Sequence, residues 1–281
     1  MTDRESLQIT SSGYICGMRA TRAARIGFAA SMAALGILGL VYGDFALVWQ
    51  PVPAWLPGRQ ALAYLSAAIE LAGGLALLWL LTAAVAARVL LVYVLIWLLL
   101  LRVPQVLSQP LIEVSWLGWG ETAMIVAGAW ALFESLTSSR EHSYLRFITA
   151  ERGVHAAQVL FGLAVLPVGL SHWVYATESA QLVAAFLPWH VGLAQFTGAA
   201  YLAAGVAILT GFRVRLAARL CALMMTLITL LVWIPEIVKT PGARLPWTAF
   251  VISWTLAASA WVVADSFALR MAGQRAQIQP A

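Results

Sequence analysis

Charged residues are scarce in this chain. Asp, Glu, Lys and Arg make up 10% of its 281 residues, whereas hydrophobic residues make up 62%. A soluble domain has about 25% charged residues. The composition therefore predicts a polytopic membrane protein of the all-α class, with the lipid bilayer as its main partner.

Cysteines and catalytic motifs are also scarce. Cys16 and Cys221 are the two cysteines and lie far apart, and the sequence has no CxxC pair and no Cys/His metal spacing. Gly-rich phosphate loops, GxSxG elbows and HExxH motifs are missing as well. The short connections between apolar runs leave no room for a soluble catalytic domain. The sequence therefore favours a protein that is not an enzyme and holds no metal.

Eight apolar segments are long enough to span a bilayer, which takes about 20 residues. The predicted spans are approximately 26–48, 61–82, 84–106, 115–136, 154–176, 190–211, 216–238 and 247–268. Residues 1–25 are polar and lack the cleavage site of a signal peptide, so we expect the first span to be retained.

The basic residues predict the orientation of these spans. Of the 17 Lys and Arg residues, 13 lie in the terminal segments and in alternate connections, so both termini should face the cytoplasm. Their placement in short clusters between apolar runs explains the net charge of +5 without nucleic-acid binding.

A repeat divides the chain into two units. When residues 54–88 are aligned without a gap on residues 185–219, so that Arg88 is paired with Arg219, 14 of 35 positions are identical. We call this alignment the repeat register. Continued along the chain, it pairs Trp130 with Trp261 and Glu134 with Asp265. Each unit would hold four helices, an even number, so both units should enter the membrane from the same side.

The predicted fold is therefore two tandem parallel four-helix bundles. The predicted division of the chain is a cytoplasmic segment at 1–25, unit 1 at 26–137, a cytoplasmic linker at 138–153, unit 2 at 154–268 and a cytoplasmic tail at 269–281.

Three charged residues lie inside the predicted spans of unit 1, namely Glu70, Arg102 and Glu121. At 1.5 Å per helical residue they lie within roughly 8 Å of one another in depth, in the outer half of the bundle. A lone charge in lipid costs about 2.5–3.5 kcal/mol or more. We therefore predict one buried polar network with Arg102 between the two carboxylates. Proton transfer, a cationic ligand and a purely structural role all remain open for it.

Unit 2 supports a joint role for these charges, because its equivalent residues are Tyr201, Trp233 and Ile252. All three charges are missing there together, as expected if losing one partner would strand the others.

Unit 2 has a polar set of its own near the predicted outer face, namely His172, His190 and Glu236. Two histidines and a carboxylate could ligate a metal. Nothing in their spacing brings them together, so we expect interfacial histidines rather than a metal site.

The stretch Ile69–Gly74, followed by Arg88 at the start of the next span, resembles the DoxX-like family of small bacterial membrane proteins. The stretch at 187–220 resembles it too, with Tyr201 in place of the glutamate. The usual member resembles one four-helix unit, so the resemblance implies a tandem fusion over residues 26–268, located in a bacterial inner membrane. It also implies a link to quinone-dependent oxidoreductases or to soluble redox enzymes.

Two functional hypotheses follow. The first is a non-catalytic membrane subunit or scaffold, with a membrane or soluble redox protein as partner and no cofactor of its own. The alternative is a binder or carrier of a small lipophilic molecule, a quinone or a lipid, in the cleft between the two units. An enzyme with Glu70 and Glu121 as acid and base is disfavoured, because no nucleophile or cofactor site accompanies them.

Overall fold

Helices form all the regular secondary structure in the described part of the chain. A computed structural model describes residues 3–136, 151–183 and 186–278, and the side chains of residues 22–136, 152–183 and 186–267. The helices are α1 (Asp3–Tyr42), α2 (Arg59–Ala76), α3 (Leu80–Trp97), α4 (Val103–Ser108), α5 (Glu113–Leu136), α6 (Glu151–Val174), α7 (Ala176–Gln181), α8 (His190–Thr210), α9 (Val214–Ile228), α10 (Ile234–Lys239) and α11 (Arg244–Ile278). A π-helical turn joins α3 to α4 at Leu98–Arg102, and another joins α9 to α10 at Thr229–Trp233. The predicted all-α class is confirmed over these residues.

Six stretches of helix in the described residues are long and apolar enough to cross a bilayer. They cover residues 22–42, 80–108, 152–174, 190–210, 214–239 and 244–267. Each overlaps one of the predicted spans, although most of the ends differ by a few residues. The other two predicted spans, 61–82 and 115–136, form α2 and α5, which are helical but are not among the six. Most residues of α5 are buried between other helices, so this helix needs fewer large apolar side chains than one that faces lipid.

Several predicted boundaries differ from the observed ones. Helix α1 ends at Tyr42 rather than near residue 48, because Gly43 adopts the left-handed conformation with φ 59°. Helix α11 continues to Ile278, past the predicted end at 268. The predicted linker at 138–153 lies mostly outside the described residues.

The helices pack side by side in a ring, here called the circuit, which closes where the last helix, α11, contacts α1. Helix α1 lies along α2, and α6 lies along α8. Helix α1 also packs against α11, while α5 packs against α3, α6 and α11. The apolar core is continuous and takes side chains from both halves, including Phe28, Phe133, Phe161 and Val263. The predicted arrangement of eight spans in two tandem parallel four-helix bundles is not confirmed.

Local features recur in the repeat register. The register pairs the first residues of the two π-helical turns, Leu98 and Thr229, and it also pairs the first residues of α5 and α11. Near the start of α5 the Trp116 indole donates to the carbonyl of Pro110 at 2.9 Å, and near the start of α11 the Trp247 indole donates to Pro241 at 2.8 Å. These local features therefore lie at positions that the predicted register pairs.

Helices α1 and α2 approach closely through small residues. A Cβ added to Gly74 of α2 would lie 2.5 Å from the backbone nitrogen of Ala33 and 2.7 Å from the carbonyl oxygen of Ala29. Both atoms belong to the backbone of α1 and cannot move aside as a flexible side chain could. Glycine at position 74 therefore sets the distance between these helices.

Gly74→Ala should destabilise the protein, because its methyl group would force α1 and α2 apart. Overpacking of this kind costs about 1–3 kcal/mol, and we expect a lower melting temperature in detergent. Gly27→Ala is the matched control, since its added Cβ would meet only the Ala258 methyl at 3.7 Å. Equal melting temperatures for the two variants would contradict the close packing of α1 on α2.

Candidate functional site

The segment between α1 and α2 folds inward against the helices. Phe45, Trp49 and Gln50 are each at most 4% exposed. Val48 has a φ of 68°, which is unfavourable for a β-branched residue. The backbone N–H of Ala46 donates to the side-chain oxygen of Gln50 at 2.8 Å, which closes the segment on itself. We call residues 44–50 the inward segment.

Glu70 lies in a cluster of neutral hydrogen-bond donors beneath this segment. One carboxylate oxygen accepts hydrogen bonds from the amide of Gln50 at 2.9 Å and from the hydroxyl of Tyr93 at 2.6 Å. Ser66, one helical turn before Glu70 on α2, pairs with the Tyr93 hydroxyl at 2.5 Å. All four side chains are buried. The cluster therefore satisfies a buried acid without a cation.

Arg102 ends the first π-helical turn and binds the backbone of the inward segment. Its guanidinium donates to the carbonyls of Val48 at 2.6 Å and of Trp49 at 3.0 Å, and to the side chain of Gln105 at 2.9 Å. Gly118 of α5 makes room for the guanidinium, because a Cβ there would overlap it. Arg102 thereby fixes a segment whose backbone is strained at Val48.

The predicted contacts among Glu70, Arg102 and Glu121 are not the ones that form. No hydrogen bond or ion pair joins any two of them. Arg102 and Glu121 are near enough for their charges to attract, but they do not touch. The physical reason is that the two terminal nitrogens of the guanidinium donate to backbone carbonyls of the inward segment and to Gln105, while Nε has no partner, so the group is held away from the carboxylates. Glu70 and Arg102 are linked only through the chain between Val48 and Gln50.

Sequence reasoning missed Gln50, Ser66 and Tyr93 because it searched for charges. One signal was present, since Ser66 and Glu70 are spaced four residues apart and therefore share a face of α2. Gln50 gave no comparable signal, because its role depends on how the connecting segment folds.

A second polar cluster ties the inward segment to α11. The carboxylate of Asp44 accepts hydrogen bonds from the Phe45 N–H at 2.8 Å and from the side chains of Arg59 and Arg244, the latter at 3.3 Å. Arg244 also donates to the carbonyl of Phe45 at 2.6 Å, and its guanidinium lies over the Tyr42 ring. Burial alone would raise the pKa of Asp44, but these hydrogen bonds and the charge of Arg59 outweigh it and lower the pKa below its ordinary value of 3.8. We call these residues the Asp44 cluster.

The polar set predicted in unit 2 does not converge. His172 uses Nδ1 on the carbonyl oxygen of Val168 at 2.8 Å, and its ring packs on Tyr201 with centroids 5.4 Å apart. His190 is the first residue of α8, and its buried Nε2 has no partner among the described residues. Glu236 pairs with Lys239 at 2.6 Å on an exposed surface. A search of the described residues finds no group of three His, Cys, Asp or Glu that could hold a metal.

A cavity of about 560 Å³ lies between α1, α9 and α11. Its α1 wall consists of small residues, namely Ala23, Ala24 and Gly27, and its α11 wall carries the indole rings of Trp254 and Trp261. Known sites for small molecules are mostly apolar and measure about 300–1,000 Å³. We call this cavity the cleft.

Two charged residues line the cleft. Asp265 of α11 is 7% exposed as a whole residue, and its carboxyl, which lines the cleft, has no hydrogen bond or ion pair with a residue whose side chain is described. Arg219 of α9 is exposed and near enough for its charge to attract Asp265. The Trp261 indole donates to the hydroxyl of Thr226 at 3.1 Å rather than to Asp265. The cleft therefore combines apolar walls with one acid, whose residue is otherwise buried, and one cation.

Comparisons of the chain with protein-family models, with curated proteins and with solved structures find no match.

Asp44→Asn should lower the melting temperature at neutral pH and have less effect at acid pH. A carboxyl whose pKa is lower in the folded than in the unfolded chain stabilises the fold fully above its unfolded pKa, and this contribution is lost as the pH falls through the folded pKa. The difference from wild type should therefore persist down to about pH 4 and shrink below it.

Thermal melts at about pH 7, 5 and 3 measure this difference. Glu236→Gln is the control, because it removes an acid from an exposed ion pair of little energetic value. An Asp44→Asn effect of equal size at all three pH values would contradict the role of the Asp44 cluster.

Glu70 and Tyr93 should be energetically coupled, whereas Glu70 and Glu121 should not be. Glu70→Leu or Tyr93→Phe alone removes the hydrogen bond between the two groups and leaves the remaining buried group with fewer partners, at a cost of about 1–3 kcal/mol. The double variant removes both groups, so its loss of unfolding free energy should be smaller than the sum of the two single losses.

Glu70→Leu combined with Glu121→Leu should be additive within about 0.5 kcal/mol. Unfolding titrations with SDS in mixed micelles give these free energies. Coupling of Glu70 to Glu121, with none to Tyr93, would instead support the three-charge network.

Proposed function

We propose that the protein binds or carries a small lipophilic molecule in the cleft between α1, α9 and α11. The observation that carries this proposal is the cavity of about 560 Å³ with small and aromatic residues on its walls. An apolar cavity with few polar groups is the usual form of a site for a lipophile.

The Glu70 and Asp44 clusters are less suited to ligand binding. Their polar groups are largely engaged with each other. The cavity beside Asp44 and Arg244 measures only about 10 Å³, which is room for about one water molecule. These clusters therefore fit a structural role, that of holding the inward segment in place.

The membrane arrangement that goes with this function is a proposal too. It consists of eight spans in two tandem parallel units, as in a doubled DoxX-like protein, in a bacterial inner membrane with both termini in the cytoplasm. The repeat register, which is common to the sequence and to the local structure, supports the duplication. In this arrangement α1 belongs to the first unit and α9 and α11 belong to the second, so the cleft lies between the units.

The other hypothesis, a scaffold subunit of a redox complex, needs no cavity. A direct test of ligand binding in the cleft therefore separates the two functions.

Ala23→Phe should reduce the binding of a lipophile without unfolding the protein. Ala23 is exposed and lines the cleft, so a phenyl ring there would occupy the cavity without disturbing the core. We expect native mass spectrometry after mild detergent extraction to find a bound lipophile on the wild type and little on the variant.

Ala30→Phe is the matched control, because Ala30 is an exposed alanine of the same helix that does not line the cleft. This variant should keep the lipophile. A wild-type protein without any lipophile, or equal amounts on all three proteins, would contradict the proposed function.

A further inference from the structure

Most of Asp265 is buried, but its carboxyl lines the cleft and accepts no hydrogen bond from a residue whose side chain is described. The residue is 7% exposed, lines the cleft, and has no hydrogen bond or ion pair with the residues whose side chains are described. A ligand that fills the cleft takes water away from this carboxyl, which is unfavourable unless another donor replaces the water. A ligand that brings its own N–H donors would supply the missing partner.

The first half of the chain contains the matching residues in a satisfied form. Glu134 is the equivalent of Asp265 in the repeat register, and it accepts a hydrogen bond from the Trp130 indole, four residues earlier on α5, at 3.1 Å. In the second half the equivalent Trp261 donates to Thr226 instead. Aspartate is one methylene shorter than glutamate, so it reaches less far back along the helix. The carboxyl of Asp265 therefore lines the cleft without a bond to Trp261.

The other groups of the cleft narrow the chemistry of the ligand. The faces of tryptophan rings such as Trp254 and Trp261 attract cations. Arg219 is exposed and offers donors to an anion. One acid and one cation together favour a ligand head that carries both signs. A primary ammonium suits Asp265 better than a quaternary one, because only the primary ammonium can donate hydrogen bonds to the carboxylate.

We propose that the cleft holds an amphiphile whose head combines a primary ammonium, bound by Asp265, with an anionic group, bound by Arg219. The acyl or alkyl part lies against the small residues of α1 and the indole rings of α11. This inference rests on the proposed function, because it requires the cleft to be the binding site.

The test compares three probes with the same acyl chain, namely lysophosphatidylethanolamine, lysophosphatidylcholine and monoacylglycerol. Their dissociation constants are measured by native mass spectrometry on the full chain in a neutral detergent. We expect the ethanolamine head to bind roughly tenfold or more tightly than the other two, which is the value of a charge-assisted hydrogen bond. Asp265→Asn should remove the preference for ethanolamine over choline, and Arg219→Gln should weaken both phospholipids relative to monoacylglycerol.

Glu134→Gln and Arg88→Gln are the matched controls, since they change the equivalent residues of the first half and should leave the ranking unchanged. Where Asp265→Asn fails to accumulate, the ranking on the unmodified chain decides. Equal affinity for all three probes would overturn the head-group inference and leave the proposed function standing. If none of the three binds, or if Ala23→Phe leaves their binding unchanged, the proposed function itself fails.

Discussion

Every buried donor and acceptor in a membrane bundle needs a partner within the protein, because the hydrocarbon offers no water. In this chain one connecting segment, residues 44–50, supplies several of those partners. It gives two carbonyls to Arg102, an amide donor to Glu70, and a carboxylate and a carbonyl to Arg244. If the segment were to leave, Arg102 would keep only its hydrogen bond to Gln105, and Glu70 would keep only the one from Tyr93. The hydrogen bonds of the segment together hold the backbone of Val48 in its unfavourable conformation.

The contact of α1 with α11, beside the cleft, is looser at Gly27 than the contact of α5 with α6 is at Gly120. Where α5 packs on α6, a Cβ added to Gly120 would come within 2.6 Å of the Ala164 carbonyl oxygen, and the Phe133 ring is fully buried. Where α1 packs on α11, a Cβ added to Gly27 would meet only the Ala258 methyl at 3.7 Å. At Gly120 the contact between α5 and α6 has no room for another methyl group, whereas at Gly27 the contact between α1 and α11 does. The wider spacing of α1 and α11 at this position leaves room for the cleft.

The apolar runs predicted all the long helices, because about 20 apolar residues in a row have few other stable forms. The self-similarity of the chain predicted the register in which the π-helical turns recur. Two features of the structure could not be predicted from the sequence, and each has a physical reason. Charge alone could not find Gln50 or Tyr93, since neutral donors satisfy a buried acid as well as a cation does. Adjacency in sequence could not predict that α1 packs against α11, because this contact depends on the whole circuit of helices.

The contact between α1 and α11 also bears on how the protein is made. Asp44 and Arg244 are 200 residues apart in the chain, yet they share one ion cluster. Helix α1 is synthesised early and must wait, with one face open, until α11 emerges from the ribosome. Until then the inward segment lacks its anchor on Arg244, and the cleft lacks two of its three walls. The circuit therefore closes only around a nearly finished chain, so an interrupted translation product would expose polar groups that quality-control proteases can recognise.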